Sequence, residues 1–372
     1  MDTLSKEGAA MSTTAAQRPL IGLALGGGAA RGAAHIGVLK VLFEEGIPID
    51  RVAGTSVGSV VGAAFCAGMS WEGILERARR VDWPDIASIT LPRRGFLRMD
   101  RFEGLIRDTI GVKDFRDLAI PLSTVAVDLA SGREVIFDSG PIARAVRASC
   151  SVPGVFEPVL EGEGVLVDGG LLNEVPADVA RRMGADVVLA VSLTADRRHD
   201  VPPRNVLDII YYSFDILLAA RTQESLKAAD IVVAPQLAGF GYRDLKRIDE
   251  LVDRGEAAMR GAVAGLKQII AAAAARLGSR QLQSLARVLP ASREPSRPRS
   301  RADPTWRRPG PAPCRPRTPA SFSVSRETRE MRVALNPSSL ASCARPTAPE
   351  KGDRLAHRLC FAGRIARAIA LY

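Results

Sequence analysis

At 372 residues and 47% hydrophobic content, the chain can fill one large globular core or two smaller ones, which excludes a wholly disordered or fibrous class. Its net charge of +10 points toward nucleic acid until it is located: Ser279 to Tyr372 holds 19 Lys and Arg against 6 Asp and Glu, or +13. Met1 to Gly278 therefore carries 32 against 35, or −3, and no nucleic-acid partner is expected for the folded part.

In chain order, residues 1–18 are polar and small and read as a flexible N-terminus. Leu20 to Leu25 reads as a buried strand and Ala33 to Glu45 as a helix, with Gly26-Gly27-Gly28-Ala29-Ala30-Arg31-Gly32 between them. A glycine-rich turn from strand to helix exposes several backbone N–H groups, which suits an anion. The Walker pattern fails because Ala33-Ala34 stands where Lys-Ser/Thr is required, and the dinucleotide pattern fails because Arg31 takes the place of its third glycine. An oxyanion hole remains, beside the plain alternative of a tight turn without a ligand. Arg31 is expected to strengthen the positive field, to meet a phosphate, or simply to form a salt bridge.

Arg51 to Gly54 reads as a second strand and Val57 to Ala67 as a second helix, joined through Gly54-Thr55-Ser56-Val57-Gly58, the one Gly-x-Ser-x-Gly of the chain. Between a strand and a helix this pattern is a nucleophile elbow, with small flanking residues that permit a turn sharp enough to lift the serine hydroxyl clear of the sheet. The alternative is that Thr55-Ser56 merely caps the helix. Trp71 to Leu75, Trp83 to Leu91 and Phe96 to Phe102 are apolar stretches read as loop-borne acyl-pocket or lid material, or as ordinary packing; Pro92-Arg93-Arg94-Gly95 is an exposed basic turn.

Strands follow at Leu122 to Asp128, Arg133 to Phe137 and Val165 to Val167, with a helix at Pro141 to Ser149. The third strand ends in Asp168-Gly169-Gly170, either an ordinary turn or a carboxylate set where paired glycines let another loop approach. A helix at Pro176 to Met183, a strand at Val187 to Ser192, a helix at Val206 to Ala228, a strand at Ile231 to Ala234 and an amphipathic helix at Ile248 to Leu277 complete an α/β domain with a mixed or mostly parallel central sheet. The segment 279–372 holds 12 of the 24 prolines and is expected to be a disordered Arg/Pro-rich tail of no assigned function, with a short helix near Leu355 to Leu371. The domain thus spans 19–278.

A serine hydroxyl needs a base, and the chain has 3 histidines. His357 falls in the tail, His199 in a charged loop, and His35 on the first helix, where packing is the commoner role. Asp168 is the better partner for Ser56, as a dyad whose carboxylate needs burial or positioning to act as a base. The cysteines Cys66, Cys150, Cys314, Cys343 and Cys360 form no Cys-x-x-Cys pair, so no metal site or disulfide framework is expected. Cys150 reads as a small buried residue. The chain shows no signal-type start and no 18-residue uncharged apolar span, so a cytoplasmic protein is expected.

The glycine turn, Gly-Thr-Ser-Val-Gly and Asp-Gly-Gly, in this order and with Ala148-Ser149-Cys150-Ser151-Val152-Pro153-Gly154-Val155-Phe156-Glu157-Pro158 between the last two, resemble the patatin-like phospholipase family, particularly its compact bacterial members. The likeness runs from about Pro19 to Pro235. It implies a three-layer α/β/α fold, Ser56 as nucleophile, Asp168 as base, and an oxyanion hole from the backbone of Gly27, Gly28 and Ala29, without cofactor or metal. It also implies a lipid ester as substrate, through an acyl-enzyme, with transient contact at a membrane surface. A non-lipid esterase or acyltransferase on the same site, or an idle lipid-binding regulator, is the alternative.

Overall fold

The computed structural model describes residues 18–89, 95, 97–194, 202, 209, 213, 216, 218, 221–241 and 243–288. The N-terminal segment 1–17, residues 92–94 of the basic turn, Phe96, the loop with His199, and the tail from 289 with His357 lie outside the described residues.

The strands are β1 (Ile21–Leu25), β2 (Arg51–Thr55), β3 (Ser88–Ile89), β4 (Leu97–Arg98), β5 (Leu122–Asp128), β6 (Arg133–Phe137), β7 (Val159–Glu161), β8 (Gly164–Asp168), β9 (Val187–Val191) and β10 (Ile231–Val233). Eight of them form one sheet in the order β10-β9-β1-β2-β5-β8-β7, with β6 also paired to β5. β10, β9, β1, β2 and β5 run parallel, and β6, β7 and β8 join antiparallel. The five parallel strands read as apolar runs because both of their faces are covered.

The helices bounded among the described residues are α1 (Ala34–Glu44), α2 (Val57–Cys66), α3 (Trp71–Arg80), α4 (Trp83–Ile86), α5 (Asp100–Ile110), α6 (Ile142–Ser149), α7 (Ala177–Arg182) and α8 (Ile248–Val288), and residues 221–226 are helical as well. Alternation along the strands sorts the core into layers. Ile21, Leu23, Leu25, Leu189 and Val191 join the large cluster with α1, α2, α3, α5 and α8. Ala24, Ala53, Val188 and Ala190 face α7 and Leu226 on the other side. The fold is thus three layers, α/β/α.

α8 continues through Gly278 to Val288, past the boundary expected from sequence. It buries Leu251, Met259 and Leu266, at about 1.5–3 kcal/mol for each such side chain. It also pairs with α1 through Lys40–Glu256 at 2.7 Å, Glu44–Arg260 at 2.6 Å and Glu45–Lys267 at 2.7 Å. These contacts hold α1 against the sheet, and α1 carries His35. No helix among the described residues is long and apolar enough to cross a membrane.

Candidate active site

Strand pairing explains why residues so far apart in sequence meet. β2 pairs with β5 as far as Thr55 opposite Val125, and β8 pairs with β5 from Asp168 opposite Ala126. β6 occupies the other edge of β5 from Thr124 to Asp128, so β2 and β8 must share the remaining edge. They approach along it from opposite ends, and their C-termini meet at one seam. Ser56 follows the last residue of β2, and Asp168 is the last residue of β8.

Ser56 has φ 52° and ψ −126°, and its side chain makes no capping bond to α2, which removes the helix-cap alternative. Among the described residues Ser56 and Ala29, at φ 48°, are the two non-glycine residues with positive φ, and both stand in the motifs singled out from sequence. Such a conformation costs about 1–3 kcal/mol and persists where the surroundings over-determine it. The flanking glycines are required by contact. A Cβ on Gly54 would lie 2.6 Å from the Gly58 carbonyl oxygen, and one on Gly58 2.1 Å from that of Leu25.

Asp168 is 7% exposed. Burial pushes its carboxyl up to about 6, against hydrogen bonds from the Gly170 N–H and the Ser56 hydroxyl that favour the ionised form. The Gly170 N–H donates to Oδ1 at 2.8 Å, so the aspartate serves its local turn and faces Ser56 at once. A Cβ on Gly169 would stand 2.3 Å from the Val125 oxygen, so only glycine allows this turn against β5.

In the glycine turn, the Gly26 N–H donates to the Val191 oxygen at 3.0 Å and the Gly27 N–H to the Glu174 oxygen at 3.0 Å. The Gly27 N–H is therefore already engaged. Gly28 and Ala29 have no backbone N–H acceptor among the described residues. Arg31 donates through Nε to the Phe240 oxygen at 2.9 Å, tying the turn to a neighbouring loop, and Gly32 lies in the 3-10 turn Ala29–Ala33 against Val57.

His35 is fully buried, and its Nε2 sits 2.8 Å from the Gly26 carbonyl oxygen, to which it donates. Burial lowers its pKa to about 4, so the imidazole is neutral and braces the glycine turn. Nδ1 has no partner. No group of three His, Cys, Asp or Glu among the described residues could hold a metal ion.

A cavity of about 230 Å³ opens at Ser56. Val57, Val60, Val61 and Ala64 line it from one face of α2, and Ile74, Trp83, Ile86, Met99 and Phe102 complete an apolar wall. Three of the apolar stretches named from sequence thus contribute, but Ile74 and Trp83 sit on α3 and α4 and Phe102 on α5, not on loops. Each of α3 and α5 buries one face, with Ile74 and Leu75 on the first and Phe102, Ile106 and Ile110 on the second, and leaves the other face charged. Trp71 stays outside the cavity, under the Lys40 ammonium at 5.5 Å.

Sequence reasoning did not find Ser149 as a site residue. Its hydroxyl donates to the Val125 oxygen at 2.5 Å and accepts the Ser56 N–H at 2.8 Å. Nor does the sequence show that the Cys150 thiol would lie against Ser56, Ser59 and Asp168; burial and the Asp168 charge push its pKa up, which makes it an unreactive wall of the cavity.

Residues 23–181 match the family model described as patatin-like phospholipase. An NTE family protein of Mycobacterium tuberculosis is 31% identical over 272 residues, covering 65% of this chain and 46% of the relative. A second from the same species is 38% identical over 188 residues, covering 50% and 52%. Neuropathy target esterase sws of Drosophila melanogaster is 34% identical over 206 residues, covering 53% of this chain and 14% of the relative. The chain thus spans about half the length of the mycobacterial relatives and far less of the fly protein. Among solved structures, VipD from Legionella pneumophila is similar at 12% identity and a TM-score of 0.42, over 67% of each chain.

Proposed function

From the match of residues 23–181 to the patatin-like phospholipase family model, we propose that this chain is a lipid acyl hydrolase working through a Ser56–Asp168 dyad. One observation carries the reading: an uncapped serine hydroxyl in a strained elbow stands beside a buried carboxylate at the mouth of an apolar cavity. The ester's acyl chain lies in that cavity along α2. Ser56 Oγ attacks the carbonyl carbon while Asp168 takes the hydroxyl proton. With a pKa of about 6 the carboxylate is a stronger base than an ordinary one, yet it is ionised at neutral pH.

The N–H groups of Gly28 and Ala29, which have no acceptor among the described residues and stand next to the N-terminus of α2, receive the oxyanion. Gly27, whose N–H donates to the Glu174 carbonyl, shapes the turn instead of meeting the oxyanion. Asp168 then returns its proton to the departing alcohol, and water releases the fatty acid from Ser56. No step needs a metal or cofactor. Headgroup contact takes place outside the cavity, consistent with a cytoplasmic enzyme that meets lipid at a membrane surface.

The test is fatty-acid release from lysophosphatidylcholine and from phosphatidylcholine vesicles. Wild type should release fatty acid and Ser56→Ala should not. Turnover of short water-soluble esters with no release from either lipid would replace the lipid reading by a small-ester hydrolase.

A further inference from the structure

We propose that Ser149 is a positioning residue of the reaction: its hydroxyl splints the seam between β2 and β8 and so sets where the Ser56 hydroxyl stands relative to Asp168. This rests on the dyad reading and adds a residue to it.

The seam creates a specific problem. Between Thr55 opposite Val125 and Asp168 opposite Ala126, the edge of β5 passes from one strand to another, and the Val125 carbonyl and the Ser56 N–H face a gap. Buried backbone groups without partners are costly, so something must pair them. Ser149, the last residue of α6 and fully buried, donates its single hydroxyl proton to Val125 at 2.5 Å and offers a lone pair to the Ser56 N–H at 2.8 Å. With one donor and the proton committed to Val125, the direction of both bonds is fixed.

The same turn grips the other half of the dyad. The Asp168 N–H donates to the Ser151 carbonyl at 2.9 Å, and Ser151 is anchored to α6 through its own hydroxyl on the Arg147 oxygen at 2.8 Å. The C-terminal turn of α6 therefore holds the nucleophile through Ser149 and the base through Ser151. The strained Ser56 backbone persists because its neighbours leave it no alternative, and Ser149 holds its N–H. Remove that oxygen and φ can relax, which swings the hydroxyl off its line to Asp168. A displacement of about 1 Å in a reacting group is enough for losses of up to about a hundredfold.

The experiment uses full-length protein carrying Ser149→Ala or Ser149→Thr, with Thr124→Val as a neighbouring control. The Thr124 hydroxyl is buried without a partner among the described residues, so its removal perturbs β5 but not the splint. The readouts are kcat and KM on a p-nitrophenyl ester, the rate of inactivation by a fluorophosphonate, and the melting temperature. Ser149→Ala should lose at least about fivefold in kcat and in inactivation rate, with KM within about twofold, while Ser149→Thr retains most of both rates.

Thr124→Val should stay close to wild type. A loss below fivefold in Ser149→Ala, or a Ser149→Thr no better than Ser149→Ala, overturns the proposal. Should Ser149→Ala not fold, Ser149→Cys, which leaves no cavity and weakens both hydrogen bonds, is read against the same threshold. Full activity in Ser149→Ala beside a dead Ser56→Ala removes only the splint, whereas an active Ser56→Ala removes the dyad itself.

Discussion

Asp168→Asn should give a protein that is more stable and nearly inactive, because the wild-type carboxylate is ionised where burial disfavours charge. Its pKa of about 6 against the ordinary 3.8 corresponds to about 3 kcal/mol, at about 1.4 kcal/mol for each pH unit between them. The sign follows from proton binding. Between about pH 4 and 6 the folded protein holds a proton that the unfolded chain has lost, so stability falls as pH rises through that window and the full penalty applies above it.

Asparagine is neutral and nearly the same shape, and its Oδ1 can still accept from the Gly170 N–H. At pH 8 the variant should therefore melt roughly 6–12 °C above wild type, with the advantage shrinking to about a third near pH 4.5. His35 works in the opposite sense: with a pKa lowered from 6.5 to about 4, it costs the fold stability as pH falls through that range. It is present in both proteins, so the difference between them isolates Asp168. Turnover at pH 8 should drop by about a hundredfold or more, the range for a lost general base. Calorimetry at pH 8 and 4.5, with ester turnover beside it, checks both halves. A variant that melts at or below wild type at pH 8, or a difference that does not shrink in acid, would refute the reasoning.

The kcat/KM of wild type should fall on the acid side with a midpoint near 6, where Asp168 takes up its proton, as read from a pH–rate profile. His35→Ala should cost about 2–4 kcal/mol of stability, through a cavity and the lost bond to Gly26, without moving that midpoint, since a neutral brace is not the base. Ala64→Phe, which fills the cavity along α2 away from Ser56, should cut turnover of p-nitrophenyl palmitate at least about tenfold relative to the butyrate, as read from the ratio of kcat/KM values.

The strand-turn-helix units around Gly26 and Ser56 were legible because each puts local chemistry, glycines and an apolar run, into a few consecutive residues. Asp168 is legible as the candidate base from its place before two glycines, the want of a usable histidine and the family resemblance, but its place in space is not. What makes it a partner is that β8 runs antiparallel onto the edge that β2 vacates, and strand direction leaves no mark in the residues themselves. Ser149 was hidden for the same reason, since its two bonds exist only across that seam. The stretches Trp71 to Leu75 and Phe96 to Phe102 read as loops because each holds only the first turn or so of a helix that continues into charged sequence, to Arg80 in α3 and to Ile110 in α5. Gly27 looked equivalent to Gly28 and Ala29 until the Glu174 carbonyl was found on its N–H. Only the folded chain could show that.

The most direct test of the account is the site of covalent capture by a fluorophosphonate ester, mapped by mass spectrometry. A single adduct on Ser56 in wild type, none in Ser56→Ala, and much slower capture in Asp168→Asn is the predicted result. Capture of Ser56→Ala at the wild-type rate, or an adduct on another residue such as Cys150 or Ser59 in wild type, would contradict it.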